Sequence, residues 1–138
     1  MEQQFFISTD KGRLDLDFIH DYLSGESYWA KGRSKERVEK SIANSLCFGL
    51  FKDSRQIGFG RVATDYVVFA WIMDFFIDPD YRKQGLGKRM IQAMVDHPAL
   101  LEVNSIGLRT QDAHALYKKF SFGSIPNPET WMLRKRDK

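Results

Sequence analysis

A stretch near the middle of the chain carries the residue types that bind polyanions. Residues 78–90 read DPDYRKQGLGKRM, with Gly85 and Gly87 standing among four basic residues. The stretch follows an apolar, aromatic segment typical of a strand and leads into an amphipathic segment typical of a helix. This composition leaves three interpretations open: a plain loop, a nucleotide phosphate site, or a site for some other polyanion.

The predicted helix start after this turn explains how an anion could bind there. The first N–H groups of a helix lack intrahelical acceptors, and the helix dipole adds partial positive charge at the same end. A glycine has no Cβ, so the backbone can approach a ligand closely. We therefore expect the N–H groups of Gln84 to Lys88 to bind an anion, with Arg82 and Lys83 adding positive charge.

Neither of the common nucleotide motifs fits the spacing of these glycines. A dinucleotide-binding fingerprint needs a third glycine where Met90 stands. A P-loop needs a glycine where Arg82 stands, and a serine or threonine where Arg89 stands. The anion is therefore expected to be something other than a nucleotide bound through these motifs.

The elements that would position this turn alternate between helix and strand. Apolar patterns predict strands at residues 4–9, 46–52, 57–64, 67–77 and 104–109, and a last strand in the tail at 130–134. Helical spacing predicts helices at residues 13–24 and 112–120, a short helix capped by Ser34, and one from Gly87 to about His97. Strands alternating with helices around a central sheet predict an α/β class or α+β sandwich.

Length and composition narrow the class of protein. A chain of 138 residues with 43% hydrophobic residues predicts one folded domain over 1–138 rather than disorder. The net charge of +3 is too mild to indicate nucleic-acid binding. The apolar run at residues 67–73 is too short to cross a bilayer, and the single cysteine fits a reducing compartment. We expect a cytoplasmic protein without nucleic-acid or membrane partners.

Arg82, Gly85 and Gly87 form an R-x-x-G-x-G pattern that resembles the acyl-CoA motif of the GNAT superfamily of N-acyltransferases. The preceding FIDPDY at 76–81 is similar to that family's V-x-P-x-Y lead-in, and AHALYKKFSF at 113–122 to its A-x-x-L-Y-x-x-x-G-F segment. Strong resemblance covers roughly residues 46–122. The segments 28–33 and 69–74 also resemble a small bacterial subgroup whose acceptors are poorly defined.

This resemblance implies a fold and an activity. The fold would be a mixed, mostly antiparallel sheet flanked by helices, whose fourth strand splays from the fifth to admit CoA. The activity would be acetyl transfer from acetyl-CoA, without a metal, to a primary amine of a small molecule or peptide by direct attack, in a monomer or homodimer. A non-catalytic acyl-CoA sensor is the alternative. The implied CoA-binding residues are Phe76, Ile77, Arg82, Lys83, Gln84, Gly85, Leu86, Gly87 and Lys88.

Three residues are candidates for proton transfer. The resemblance makes Tyr117 the general acid that protonates the leaving thiolate, whereas helical periodicity alone would make it a core residue. Asp74 is the only carboxylate in its apolar strand, so it either serves as a base, anchors a cationic acceptor, or forms an internal salt bridge. His20 is the alternative base.

The acceptor site is expected in the loop between the first two helices. Tyr28 and Trp29 could form an aromatic wall for the amine, although ordinary loop packing explains them equally well.

Two positions depart from the family pattern. Ser121 replaces a glycine, which would cost about 1 kcal/mol if the backbone there is left-handed. Thr110 replaces an asparagine, which leaves a ligand contact by that side chain in question.

Overall fold

The structure is a computed structural model, and it describes residues 4–136. Its centre is a five-stranded sheet in the order β1-β2-β3-β4-β5, and the strands from β1 to β4 run antiparallel to their neighbours while β5 runs parallel to β4. The strands are β1 (Phe5–Ser8), β2 (Leu46–Lys52), β3 (Arg55–Thr64), β4 (Phe69–Ile77) and β5 (Ser105–Leu108). The predicted mixed, mostly antiparallel sheet is confirmed.

Helices cover both faces of this sheet and divide its core in two. They are α1 (Leu16–Asp21), α2 (Lys35–Ala43), α3 (Leu86–Val95) and α4 (His114–Lys118), with Tyr22–Glu26 forming a π-helix directly after α1. Ile19 of α1 and Val38 of α2 are fully buried in one apolar cluster with Phe59. Met90 and Met94 of α3 are fully buried in the other, against residues such as Leu50. Short 3₁₀ turns lie at Lys11–Arg13, Pro79–Tyr81, Pro98–Leu100 and Pro128–Thr130.

The pairing of β4 with β5 covers only the first half of β4. Phe69 to Ile72 pair with Ser105 to Leu108, and the described ladder ends there. On the other side, β4 stays paired with β3 as far as Ile77. The second half of β4 therefore presents an unpaired edge, as expected for strands that splay apart.

The hydrogen-bonding direction of Ile77 follows from the antiparallel register. The N–H of Asp78 donates to the carbonyl of Ile57 at 2.7 Å, so residues 57 and 78 are a hydrogen-bonded pair. Because such pairs alternate along an antiparallel ladder, Phe59 and Phe76 form the next one, and Ile77 points its N–H and carbonyl away from β3. Ile77 thus presents these groups to the unpaired edge of β4.

A β-bulge interrupts β4 just before this edge. Asp74 has a φ of 55°, and the β3–β4 register shifts between Phe59 and Arg61. A left-handed backbone costs an L-residue about 1–2 kcal/mol, although aspartate and asparagine adopt it more readily than most residues. The bulge adds one residue to β4 and re-aims the side chains around Asp74.

Three details of the predicted elements are wrong. Residues 131–136 form no strand, and Met132 and Leu133 are almost fully exposed, because their local β-propensity meets no ladder partner among the described residues. Val67 and Val68 are exposed and precede β4 rather than opening it. The helix predicted at 13–24 starts later, at Leu16, and its second half is the π-helix. Within residues 4–136, no helix is long and apolar enough to cross a membrane.

Candidate active site

A cavity of about 530 Å³ opens along the unpaired edge of β4. Four segments form its walls: the π-helix and the loop after it, the end of β4, the glycine-containing turn, and the start of α4. The lining residues are Tyr22, Glu26, Ser27, Tyr28, Trp29, Phe75, Phe76, Ile77, Tyr81, Arg82, Lys83, Gly85, Leu86, Gly87, Lys88, Asp112 and Leu116. The cavity thus joins most of the predicted cofactor residues to both predicted acceptor residues.

The glycine-containing turn exposes a run of backbone donors to this cavity. Gly85 is the N-terminal cap of α3 with a φ of 77°, and no side chain caps the helix. The N–H groups of residues 83–88 donate to no other described residue. A Cβ added to Gly87 would meet only Leu116, at 3.8 Å, so a larger side chain there would project into open space. These N–H groups are therefore available to donate to an anion.

The positive charges of the turn play different parts. Arg82 donates from Nε to the Ile77 carbonyl at 3.1 Å and from Nη2 to the Tyr22 hydroxyl at 2.8 Å. Its guanidinium therefore fixes the turn to β4 while still carrying its charge. Lys88 stands beside Lys119, and the Lys88 ammonium lowers the pKa of Lys119. Two crowded ammonium groups favour a bound anion, and the sequence analysis did not include Lys119.

Tyr22 is a second residue that the sequence analysis missed. Its ring stacks on Phe76 with centroids 3.9 Å apart and an interplanar angle of 8°, and its hydroxyl accepts from Arg82. Tyr22 is also the first residue of the π-helix. Helical spacing indicated that Tyr22 lies on an apolar helix face. Its contact with Arg82, sixty positions further along the chain, cannot be inferred from the residues around Tyr22 in the sequence.

Asp74 is buried at the centre of a network that links three elements. One oxygen, Oδ2, accepts from Arg61 Nε at 2.7 Å and from Arg33 Nη1 at 2.8 Å. The other, Oδ1, accepts from Trp29 Nε1 at 2.9 Å. Arg61 in turn donates to the hydroxyl of Ser45 at 3.0 Å. Both carboxylate oxygens are therefore engaged.

The electrostatics of Asp74 favour the salt-bridge interpretation over the base. Burial raises the pKa of this carboxyl, but the two guanidiniums of Arg61 and Arg33 outweigh burial and hold the pKa below its usual range. A carboxylate with a lowered pKa is a weaker base than a free one. Both oxygens of Asp74 already accept hydrogen bonds, so they are poorly placed to accept a proton from a substrate.

Tyr117 lies behind the cavity wall. It is only 7% exposed, and its ring packs against Phe75 and Phe122 with centroids 6.2 and 5.7 Å away. Burial, with the nearby charges of Tyr28 and Asp112, raises the pKa of Tyr117 to about 12. Tyr117 itself lines a second cavity of about 640 Å³ beside β5. At neutral pH this phenol keeps its proton.

The remaining candidates occupy structural positions. His20 hydrogen-bonds through Nε2 to the carbonyl of Arg33 at 3.1 Å and does not line the main cavity. Thr110 accepts from the N–H of Ala113 at 3.1 Å, next to the start of α4. Ser121 has a φ of 69°, so the left-handed backbone considered for this position is present. Tyr28 accepts from the N–H of Gln111 at 3.0 Å, which ties the loop before α2 to the segment before α4.

A comparison with protein families decides the class of this fold and site. The profile of the Acetyltransferase (GNAT) family matches residues 16–122. The chain belongs to this family. A crystal structure of a protein assigned to the GNAT family, from Xanthomonas campestris pv. campestris, is 38% identical, with a TM-score of 0.93, over 96% of this chain and 94% of that one. The GNAT-like fold that the sequence implied is therefore confirmed.

Relatives with N-acetyltransferase names cover part of the chain. One from Pyropia yezoensis, itself uncharacterised, is 30% identical over 105 residues, which is 72% of this chain and 60% of the relative. One from Prochlorococcus marinus, also uncharacterised, is 35% identical over 95 residues, which is 65% of this chain and 52% of the relative. The matches thus span about half to three fifths of these GNAT relatives.

Proposed function

We propose that this protein transfers an acetyl group from acetyl-CoA to a primary amine by direct attack. The observation that carries the proposal is the run of unpaired N–H groups at residues 83–88, which opens onto a cavity continuing along the free edge of β4. An anion site at one end and an unpaired strand at the other suit a long ligand with a polyphosphate head and an amide-containing arm. Membership of the GNAT family supports the same ligand.

In this proposal the CoA pyrophosphate lies on the N–H groups of Gln84 to Lys88. The ammonium groups of Lys88 and Lys119 neutralise its charge, which relieves their mutual repulsion. The pantetheine arm adds to β4 as a strand would. Ile77 keeps its N–H free at this edge for the thioester end of the arm, whereas the N–H of Phe76 is directed to β3 and the ring of Phe76 stacks on Tyr22.

With CoA bound in this way, the thioester at the end of the pantetheine arm lies near Ile77, and the chemical steps follow from that position. A neutral amine attacks the thioester carbonyl, a C–N bond forms, and the oxygen of the tetrahedral intermediate becomes negative. The N–H of Ile77 is our candidate donor to that oxyanion. The C–S bond then breaks, and Tyr117 gives its proton to the departing thiolate. At working pH the phenol of Tyr117 holds the proton that this step needs, because burial raises its pKa to about 12.

The amine must lose a proton before or during the attack. Asp74 is poorly suited to accept that proton, because its two oxygens hold three hydrogen bonds. Glu26 and Asp112 are exposed carboxylates on the cavity wall without a salt bridge to another described residue. We propose that the amine gives this proton to a water molecule that hydrogen-bonds to one of these two carboxylates.

The alternative function is a non-catalytic acyl-CoA sensor. One observation favours it: Tyr117 stands behind the wall of the main cavity rather than on it. A sensor needs the anion site and the free strand edge but no acid. The acceptor of the enzyme, whether small molecule or peptide, has no role in the sensor. Measuring transfer therefore separates the two functions.

Calorimetry with CoA and with pantetheine tests the binding half of the proposal. We expect CoA to bind at least tenfold more tightly than pantetheine, because charge-assisted contacts to phosphate are worth about 1.5 kcal/mol or more. Gly87→Glu should abolish the preference, since its carboxylate would project into the anion site. Gly123→Glu is the matched control, because Gly123 is exposed, has free space for a Cβ and lies outside the turn. Equal binding of CoA and pantetheine by the wild type would contradict the phosphate site.

Release of CoA from acetyl-CoA in the presence of an amine panel tests the transfer half. The panel contains phenylethylamine, cadaverine, spermidine, glucosamine and a lysine-containing peptide, which differ in ring, charge and size. We expect amine-dependent release of CoA with at least one of them. CoA binding without release for any amine would favour the sensor.

A further inference from the structure

We propose that Asp74 is a positioning residue, which holds the Trp29 indole at the acceptor end of the cavity through a buried ion triad with Arg33 and Arg61. The proposal rests on the transferase function proposed above and deepens it. It assigns to Asp74 a role distinct from base catalysis, and to the two arginines a role that neither motif nor spacing indicated.

The geometry gives Asp74 three donors from two separate parts of the chain. Trp29 and Arg33 both belong to the loop before α2, and each donates to a different oxygen of the carboxylate. Arg61 belongs to the sheet and donates to the same oxygen as Arg33. The carboxylate thus clamps the loop to the sheet at two points four residues apart, which fixes the orientation of the backbone between them.

The charge of Asp74 is needed for this clamp. Arg61 is 9% exposed, and its guanidinium also contacts Ser45 and Met73. A buried guanidinium without a counter-ion carries a large desolvation cost, so Arg61 holds the carboxylate in place and the carboxylate holds the loop. Hydrogen bonds to an ionised acceptor are also stronger than neutral ones, which favours a single orientation of the indole.

Trp29 is the part of this network that meets the cavity. Its ring is 42% exposed and stands edge-on to Tyr28, with centroids 5.0 Å apart and an interplanar angle of 83°. On its other side lies Tyr22, at 6.5 Å. An exposed tryptophan held by its indole N–H keeps its face available to a cationic amine. The positioning by Asp74 should therefore act on acceptor binding and leave acetyl-CoA binding alone.

Two single variants and their combination test this chain of contacts. Trp29→Phe keeps an aromatic ring but removes the N–H that Asp74 accepts. Asp74→Asn removes the charge and suits the left-handed backbone, since asparagine tolerates a φ of 55°. With the fastest amine of the panel, we expect each single variant to raise the acceptor KM about tenfold while the acetyl-CoA KM stays within about twofold.

The double variant separates positioning through Trp29 from a general loss of structure. If Asp74 acts on the acceptor through Trp29, Asp74→Asn should change the acceptor KM little once Trp29→Phe is present. Trp131→Phe serves as the matched control, because this half-exposed tryptophan lies in the tail and touches neither Asp74 nor the main cavity. Should Asp74→Asn fail to fold, Arg33→Met takes its place in the same cycle, since that side chain is partly exposed.

Fluorescence gives a readout that needs no turnover. The contribution of Trp29 to the fluorescence is obtained by subtracting the emission spectrum of the same protein carrying Trp29→Phe. Loss of the anchor in Asp74→Asn should shift this difference emission to longer wavelength and raise its quenching by acrylamide. This arm also decides the proposal if the wild type releases no CoA with any amine, an outcome that would overturn only the transferase function.

Three results would overturn the positioning role. A kcat of Asp74→Asn at least about 100-fold down, with loss of the acid limb of the pH profile, would make Asp74 the base. Fully additive effects of Asp74→Asn and Trp29→Phe on the acceptor KM would make the two residues independent. An unchanged Trp29 emission in Asp74→Asn would show that the indole needs no anchor.

Discussion

Replacing Arg61 by methionine tests how much the ion triad contributes to stability. Arg61→Met removes the 2.7 Å hydrogen bond to Asp74 and the 3.0 Å contact with Ser45, while the methionine retains most of the apolar stem. Asp74 then keeps Arg33 and Trp29 as its partners. Arg61→Met therefore leaves the buried carboxylate of Asp74 with fewer hydrogen-bond and ion-pair partners, although some remain.

The expected loss follows from the burial of the pair. Removing one partner of a buried ion pair costs about 3–5 kcal/mol, because the other charge is left uncompensated. Since Arg33 still faces Asp74, we expect the lower end, about 3 kcal/mol at pH 7. For a domain of this size that loss corresponds to a fall in Tm of about 10 °C. Urea denaturation followed by circular dichroism measures it directly.

The same variant should show a pH dependence of defined sign. In the wild type the pKa of Asp74 is lowered, so its contribution to stability is complete above the unfolded value near 4 and is lost as the pH falls through the lowered value. In Arg61→Met, burial is less fully offset, so the carboxyl takes up its proton at a higher pH. The stability difference between the two proteins should therefore shrink as the pH is lowered from 7 towards 4.

Two further proteins control this measurement. Arg61→Met combined with Asp74→Asn removes both charges and should be more stable than Arg61→Met alone. Arg37→Met alters an exposed arginine of α2 and should unfold like the wild type. A loss below about 1 kcal/mol in Arg61→Met, or a stability difference that grows at acid pH, would refute the argument that the triad compensates a buried charge.

Two further predictions concern a phenol and a thiol. Tyr117→Phe should lower kcat about 100-fold with little change in acetyl-CoA affinity. Because the pKa of Tyr117 is raised to about 12, the wild-type kcat should not fall through loss of this proton up to about pH 10. Turnover by Tyr117→Phe at the wild-type rate would show that Tyr117 is a packing residue. Cys47 is 1% exposed, and its pKa is raised to about 11, mainly by burial. A thiol reagent at pH 8 should therefore label the native protein at least about 100-fold more slowly than the urea-unfolded protein, and equal rates would contradict the burial.

The features that the sequence predicted depend on neighbours close along the chain. The glycine-containing turn and α3 follow from glycine placement and helical spacing within about twenty residues. The strands β2 and β3 follow from the two apolar runs at residues 46–52 and 57–64, although β3 begins earlier, at Arg55. The unpaired N–H groups at the turn were expected for the same reason, because the first N–H groups of any helix lack intrahelical acceptors.

The features that the sequence did not predict depend on distant partners. Asp74 was recognised as a buried carboxylate, but Arg33 lies 41 residues away and Arg61 lies 13 residues away across a strand pair. Nothing in the local pattern distinguishes these arginines from surface ones. The strand predicted in the tail is wrong for the opposite reason. The consecutive apolar residues Trp131, Met132 and Leu133 suit a strand, and only the absence of a ladder partner among the described residues prevents one.

The division of the cavity between two short segments has a consequence for protein engineering. The unpaired N–H groups belong to residues 83–88, while the aromatic residues Tyr28 and Trp29 belong to the loop before α2. Under the proposed function, we expect that exchanging this loop between relatives alters acceptor preference and leaves CoA binding unchanged. A loop transplanted into this protein must bring both an indole and a guanidinium spaced four residues apart, because Asp74 of the sheet accepts hydrogen bonds from both.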